Sequence, residues 1–354
     1  MSAVAAPPDR ETDFERAVPA GFYVDPGRPL LLEEHLRDRG LMARDEQIRA
    51  LDEAGEGNMN LTLRVRTSRR SFILKQSRPW VERYPHLAAP VDRVLSEIAF
   101  YEIVAGSPIV FGAMPALIGS DATSRLLLLE DLGEGSDFTS LYRGGRLSRR
   151  QLDELVDYLV ALHAVPVTAT DASHQTLGDR GMRNLNHEHI FRLPLLRDNG
   201  LDLDAITPGL ATAAEGLKDD SAFVTRVAEL GQDYLADGEH LVHGDYFPGS
   251  WLGTSSGIRI IDHEFCFLGS PAFDVGCMLG HLHLARQPEE SCAWLLVSYR
   301  ERAGVAAEVI REARSFAGVE IMRRLVGGAQ LPLGYGIDDK TRLLALARDL
   351  VLAP

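Results

Sequence analysis

Apolar and polar residues alternate over Leu61-Thr-Leu-Arg-Val-Arg66, with positions 61, 63 and 65 apolar. That is the period of a half-buried strand. Ser71-Phe-Ile-Leu-Lys-Gln76 predicts the next strand, and Ile109–Gly119 and Arg125–Leu129 predict two more that close a small sheet. Between them, Arg93–Val104 carries Leu95, Ile98, Tyr101 and Val104 at helical spacing. Further along the period changes. Ser148-Arg-Arg-Gln151 has the form of a capping box, and Leu152, Leu155, Val156, Leu159 and Leu162 then recur on one helical face up to His163. Thr225–Ala236, Phe273–Ala285, Ala293–Arg302, Val309–Val326 and Arg342–Leu352 predict further helices, and Leu30–Arg39 an early one. Residues 1–28, rich in alanine, proline and charge, predict a loose N-terminal arm. The expected fold class is therefore α+β, with a sheet-built N-lobe over residues 29–131 and a larger, mainly helical C-lobe over 132–354.

Size and charge narrow the function. A chain of 354 residues is long enough for two domains and a large core. A formal charge of -14 argues against a nucleic-acid backbone or an anionic membrane as partner. The N-terminal stretch meets Pro, Asp and Arg before any apolar core, so no secretory signal is expected, and no window is long and apolar enough for a membrane span. Cys266, Cys277 and Cys292 lack metal-ligand spacing, and Cys266 and Cys277 lie in apolar runs and read as small core residues, which fits a reducing cytoplasm.

The chemistry concentrates in Leu241–Phe265. His243-Gly244-Asp245 follows the apolar pair Leu241-Val242, and Ile258-Arg-Ile-Ile261 leads into Asp262-His263-Glu264. Turn residues Thr254, Ser255, Ser256 and Gly257 lie between, so the two acidic centres are expected on neighbouring strands of one hairpin. Two residues apart on a strand, Asp262 and Glu264 would share a face. Phosphoryl transfer needs one carboxylate to orient and deprotonate an accepting hydroxyl and others to hold Mg²⁺ on the phosphates. Acids at strand ends also serve simply to solvate them.

Upstream, Ala54-Gly55-Glu56-Gly57-Asn58-Met59-Asn60 opens into the first strand. Such a turn can lay backbone N–H groups over phosphates, and it is also an ordinary hairpin turn. Lys75 near a strand end becomes informative if Glu97 on the following helix holds it, because that pair positions the α- and β-phosphates of ATP. Glu102 is a rival partner, five residues on and on another helical face. The apolar run ending at Glu130-Asp131-Leu132-Gly133 is a candidate hinge whose backbone could read an adenine edge. Asp274 reads as a helix cap that could also orient the Asp245 loop. Arg323-Arg324 close a long helix, where basic residues also suit the dipole. His163 reads as a buried hydrogen-bonding histidine, and His281 and His283 point to different faces, so they form no metal pair.

Taken together these residues resemble the aminoglycoside/choline-kinase-like phosphotransferases, and within them most closely the 5-methylthioribose kinase branch. The resemblance spans about residues 50 to 328 and implies a protein-kinase-like two-lobed fold with a small antiparallel N-terminal sheet. It implies that Gly55, Gly57, Asn58, Asn60, Lys75, Glu97, Glu130 and Leu132 bind ATP. It also implies that Asp245 is the catalytic base, in the run His243-Gly-Asp-Tyr-Phe-Pro-Gly-Ser250, and that Asp262, Glu264 and Ser250 hold Mg²⁺. Asp245, Arg323 and Arg324 would hold the acceptor, and a homodimer is implied. Two positions depart from the branch: His263 stands where proline is usual, and Phe247 where histidine is usual. Both were expected near the acceptor, whose identity they leave open.

The function expected is therefore a cytoplasmic kinase moving the γ-phosphoryl of ATP to a hydroxyl of a sugar, with 5-methylthioribose as the candidate. Arg323-Arg324 tilts the choice towards a neutral or anionic acceptor and away from a basic aminoglycoside. The alternatives are the same reaction on an aminoglycoside, choline or a nucleoside-like natural product, or a nucleotide-binding protein without catalysis.

Overall fold

A computed structural model describes residues 10–55, 57, 59–133, 135–167, 176–177 and 180–353. The chain divides into two compact units. The first holds residues through Tyr101 together with Pro115–Gly133, and the second holds Glu102–Met114 with Glu134–Pro354.

In the first unit, β1 (Ile48–Glu53), β2 (Leu61–Thr67), β3 (Ser71–Gln76), β6 (Leu117–Asp121) and β7 (Leu126–Glu130) form one antiparallel sheet in the order β1-β2-β3-β7-β6. Two short strands, β4 (Trp80–Val81) and β5 (Tyr84–Ala88), pair apart from it. Strand alternation sorts the side chains. Leu63, Val65, Phe72, Leu74, Leu126 and Leu128 share a buried cluster with Leu32 and Leu36 of the helix Pro29–Asp38. Lys75, next along β3, faces the other way. The strand expected over Ile109–Gly119 is replaced by a short helix, Pro108–Gly112, before β6. Proline at the first helical position, with its fixed φ, favours that start.

Residues 10–28 correct the loose-arm expectation. Arg10–Ala17 is helical, Phe14 and Val18 pack with Trp80, and Val24 belongs to the sheet's core. Buried Gln76 ties the segment down: its Oε1 accepts the Val24 N–H at 3.0 Å and its Nε2 donates to the Phe22 carbonyl at 2.8 Å.

The second unit is mainly helical. The Ser148 capping box forms as expected, with Ser148 Oγ accepting the Gln151 N–H and Gln151 accepting the Ser148 N–H. The helices Ala272–Leu284 and Ala307–Val326 pack against each other so closely that a Cβ at Gly276 would lie 2.6 Å from the Ala313 carbonyl oxygen. The helices Leu203–Ile206 and Leu210–Lys218 are additions to the sequence prediction.

The strands around the acidic centres are β8 (Ser136–Asp137), β9 (His240–Val242), β10 (Trp251–Thr254), β11 (Gly257–Ile260) and β12 (Phe267–Gly269). Their pairing differs from expectation. The Thr254–Gly257 turn joins β10 to β11, whereas β9, which precedes Asp245, pairs with β12. Asp245 and Asp262 therefore follow β9 and β11 in loops, and are not opposed across a hairpin.

Candidate active site

Within the first unit, Lys75 Nζ lies 2.8 Å from Glu97 Oε1, and both side chains are almost fully buried. A lone buried charge is costly, so each partner secures the other. Lys75→Met, which removes the cation paired with buried Glu97, should destabilise the protein by about 3–5 kcal/mol, and should weaken ATP binding if the lysine holds the nucleotide. Thermal unfolding and nucleotide titration read the two effects.

The stem of the glycine turn is fixed by a residue that no local pattern singles out. Buried Arg93 donates from Nε to Asn60 Oδ1 at 2.8 Å, and from its other nitrogens to the carbonyls of Met59, Arg78, Trp80 and Pro90. Asn60 is thus engaged within the protein. Gly55 sits at φ 75°, where glycine is favoured, and a Cβ at Gly57 would meet nothing within 4 Å. Asn58 lies outside the described residues. At the other end of the sheet, the Glu130 carboxylate accepts the Ala116 N–H at 3.0 Å, and its own N–H donates to the Ala116 carbonyl. Leu132 follows in the half-buried segment after β7.

Within the second unit, the loop after β9 is built from its backbone outwards. Gly244 takes φ 83°, and a Cβ there would stand 2.1 Å from the Phe265 carbonyl oxygen, so only glycine fits. Asp274 accepts the His243 N–H at 2.7 Å and the Gly244 N–H at 3.0 Å, and meets His163 Nε2 at 3.1 Å. Its carboxylate orients the loop; the helix cap is Pro271, so the capping reading is corrected. His163, donating to Asp274, accepts on Nδ1 from the Tyr299 hydroxyl at 2.7 Å. His243 completes the frame, its Nε2 donating to the Ile261 carbonyl at 3.0 Å while Nδ1 accepts the Asp245 N–H.

Asp262, just past Ile261, adopts φ 65° and ψ 57°, a left-handed conformation that aspartate tolerates better than most residues. A 3-10 turn, His263–Phe265, follows it. The strand alternation expected to bring Asp262 and Glu264 to one face therefore does not apply. Glu264 is nearly buried, and Ser250 donates its hydroxyl to the Asp245 carbonyl at 3.1 Å. Carboxylate and hydroxyl oxygens at Asp262, Glu264 and Ser250 are the hard donors that Mg²⁺ takes, so the residues fit that ion in kind. His263 contacts Tyr158 through Nε2 at 2.9 Å in the interior, so this departure concerns packing beneath the loop.

The residues expected to hold the acceptor converge. Arg324 Nη2 lies 3.2 Å and Arg323 Nη1 3.5 Å from Asp245 Oδ1. Glu320 binds both guanidiniums: its Oε1 accepts Arg324 Nε at 2.6 Å and its Oε2 accepts Arg323 Nη1 at 3.1 Å. Behind it, His281 Nε2 stands 3.0 Å from Glu320 Oε1, and His281 Nδ1 2.6 Å from the Tyr142 hydroxyl. Phe247 lies over Arg324, with the guanidinium carbon 4.7 Å from the ring centre. Sequence reading missed Glu320, His281 and Tyr142 as a set. The signal available was Glu320 standing three and four residues before the arginines, the spacing at which helical side chains meet.

Burial works against the charge on Glu320, but Arg323, Arg324 and His281 outweigh it and hold the carboxyl well below its ordinary range. Burial lowers His281 to about 4, against its ordinary 6.5. His281 is thus neutral at pH 7, carries its proton on Nε2 towards Glu320, and accepts on Nδ1 from Tyr142. In the unfolded chain it takes a proton near pH 6.5, which the native state refuses down to about 4. Its contribution to stability is complete above pH 6.5 and is lost as pH falls through that window, about 3 kcal/mol in all. Melting temperature followed from pH 7.5 to 4 should fall most steeply there.

All three cysteines are free and buried, as expected for Cys266 and Cys277. Cys277 joins His281 and Glu320 in a cluster of metal-ligand type. The hydrogen bonds already made by His281 and Glu320, and two adjacent guanidiniums, leave no place there for a cation.

Among known proteins, the profile described as the phosphotransferase enzyme family matches residues 51–314. A methylthioribose kinase from Exiguobacterium sibiricum is 24% identical over 87% of this chain and 87% of its own length. One from Yersinia enterocolitica is 25% identical over 90% of this chain and 92% of its own. Two solved structures share the fold. A spectinomycin phosphotransferase in complex with ADP and spectinomycin has a TM-score of 0.54 at 14% identity, covering 92% of this chain and 97% of that one. The choline kinase LicA from Streptococcus pneumoniae has a TM-score of 0.50 at 14% identity, covering 92% and 99%.

Proposed function

The chain belongs to the phosphotransferase enzyme family, and from that premise we propose that it moves the γ-phosphoryl group of ATP to a hydroxyl of 5-methylthioribose or a closely related sugar. The observation that carries this reading is Asp245 itself. One carboxylate oxygen is gripped by Arg323 and Arg324, and the other has no hydrogen-bond partner among the described residues. The acceptor hydroxyl donates to that second oxygen. Its oxygen then bonds to the γ-phosphorus as the bond to the bridging oxygen of ADP breaks, and its proton passes to Asp245 late in the step. The transition state is loose, so positioning and charge dominate.

Lys75, steadied by Glu97, neutralises the α- and β-phosphates, and the backbone of the glycine turn and of the segment Glu130–Leu132 holds the rest of the nucleotide. Asp262 and Glu264, with Ser250, would hold Mg²⁺, which supplies charge neutralisation at the phosphate oxygens. The curated methylthioribose kinases, alike over nearly the whole chain, support this acceptor over the others. Among the described residues no helix is long and apolar enough to cross a membrane. A homodimer is part of the proposal, and light scattering on the eluting protein measures it.

ADP release should be measured with methylthioribose, ribose, aminoglycosides, choline and nucleosides in parallel. Stimulation by methylthioribose well above the ATP-only rate is the expected result. Stimulation by an aminoglycoside or choline instead would transfer the reading to the same reaction on that acceptor.

A further inference from the structure

Two arginines beside the catalytic aspartate suggest an electropositive pocket, yet the charges in contact with them cancel. Arg323 and Arg324 face two carboxylates, those of Glu320 and Asp245, at 2.6 to 3.5 Å. His281, which touches the cluster through Glu320, is neutral. Glu320 is also held from the side away from the arginines. Its orientation is set from behind by the buried chain Tyr142 to His281 to Glu320, while the face of Arg324 rests on Phe247. A carboxylate so fully desolvated is retained only when paired, and here the pairing consumes Nε of Arg324 and Nη1 of Arg323.

We propose that Glu320 is the positioning residue of the acceptor site, aligning both guanidiniums on Asp245 and cancelling their charge so that the site selects an uncharged acceptor. This rests on the acceptor site proposed above and sharpens it. The arginines meet the acceptor as oriented hydrogen-bond donors, not as a net cation, so an anionic sugar gains nothing over a neutral one. Glu320 acts through the arginines and the aspartate and touches no reacting atom.

The test uses the whole protein saturated with ADP and Mg²⁺, so that the nucleotide phosphates already fill their own site. Sulfate is titrated against sodium chloride of matched ionic strength while the melting temperature is followed. Wild type should show no saturable sulfate-specific shift. Glu320→Gln removes one negative charge and keeps the shape, so it should acquire a saturable upward shift that disappears in Glu320→Gln/Arg324→Gln. Glu320→Asp keeps the charge but draws it back by one carbon. It should gain no sulfate binding, while KM for the acceptor rises about tenfold, the loss of one aligned charged hydrogen bond, and kcat changes less than threefold.

A folded Glu320→Gln without sulfate binding overturns the charge-cancelling role. If Glu320→Gln does not fold, Glu320→Asp decides: unchanged KM, or a fall confined to kcat, overturns the positioning role. The sulfate arm needs no acceptor, so it stands or falls separately from the identity of the sugar.

Discussion

Asp245→Asn should retain ATP binding and lose turnover, with kcat lower by about 10²–10⁴. The substitution is close to isosteric. The amide oxygen can still accept from Arg324 Nη2, which lies 3.2 Å from Oδ1 in the native protein, so the local geometry has a reason to persist. What disappears is a group able to take the acceptor's proton. The amide nitrogen is a donor, and it meets the incoming hydroxyl in the wrong sense. On the reading proposed above, nucleotide affinity rests on Lys75 and the glycine turn, so it should stay within a few-fold by calorimetry. Removing the Asp245 charge also leaves the two arginines opposed only by Glu320, so some loss of acceptor affinity should accompany the fall in kcat. Undiminished turnover in this variant would remove Asp245 from the chemistry altogether.

Asp274→Ala is expected to be the most damaging change outside the reacting groups. It strips the acceptor from two buried backbone N–H groups, those of His243 and Gly244, and leaves His163 Nε2 without its acceptor. Each of the three orphaned buried donors costs about 1–3 kcal/mol, so the total is about 3–9 kcal/mol, or a melting temperature lower by roughly 4–12 °C. Activity should fall further than stability requires, because the loop that carries Asp245 loses its anchor. Asp274→Asn keeps one oxygen acceptor and turns an N–H donor towards the second backbone N–H, so an intermediate loss is expected. A melting curve for Asp274→Ala superimposable on wild type would show that the loop holds itself.

What the sequence reveals and what it hides follow a physical division. Strand alternation over Leu61–Arg66, the helix beginning at Ser148 and the arginine spacing on the helix ending at Val326 depend on neighbours a few residues away. The same holds for Lys75 and Glu97, each at its predictable place on a strand and the helix after it. Pairings set only by the folded core leave no local trace. Tyr142 and His281 lie 139 residues apart, His281 and Glu320 39 apart, and Asp274 and His163 111 apart. The expected hairpin fails for a related reason. Strands of three or four residues have too few alternations to declare a partner, and sequence adjacency alone favours pairing between the segments bearing Asp245 and Asp262. In the folded chain β9 pairs with β12 instead. Composition misleads at the N-terminal segment, since buried Phe14 and Val18 and a glutamine 52 residues from Val24 are enough to secure it.

The helix Ala272–Leu284 carries Asp274 in its first turn and His281 in its last, and it lies against Ala307–Val326, which bears Glu320 and both arginines. The loop that carries Asp245 and the guanidiniums beside its side chain are thereby anchored on two helices seated against each other with no room for a Cβ between them at Gly276. A bulkier residue at Gly276 should therefore disturb the loop and the arginines at once, much as two instruments bolted to one optical bench lose alignment together when the bench is bent.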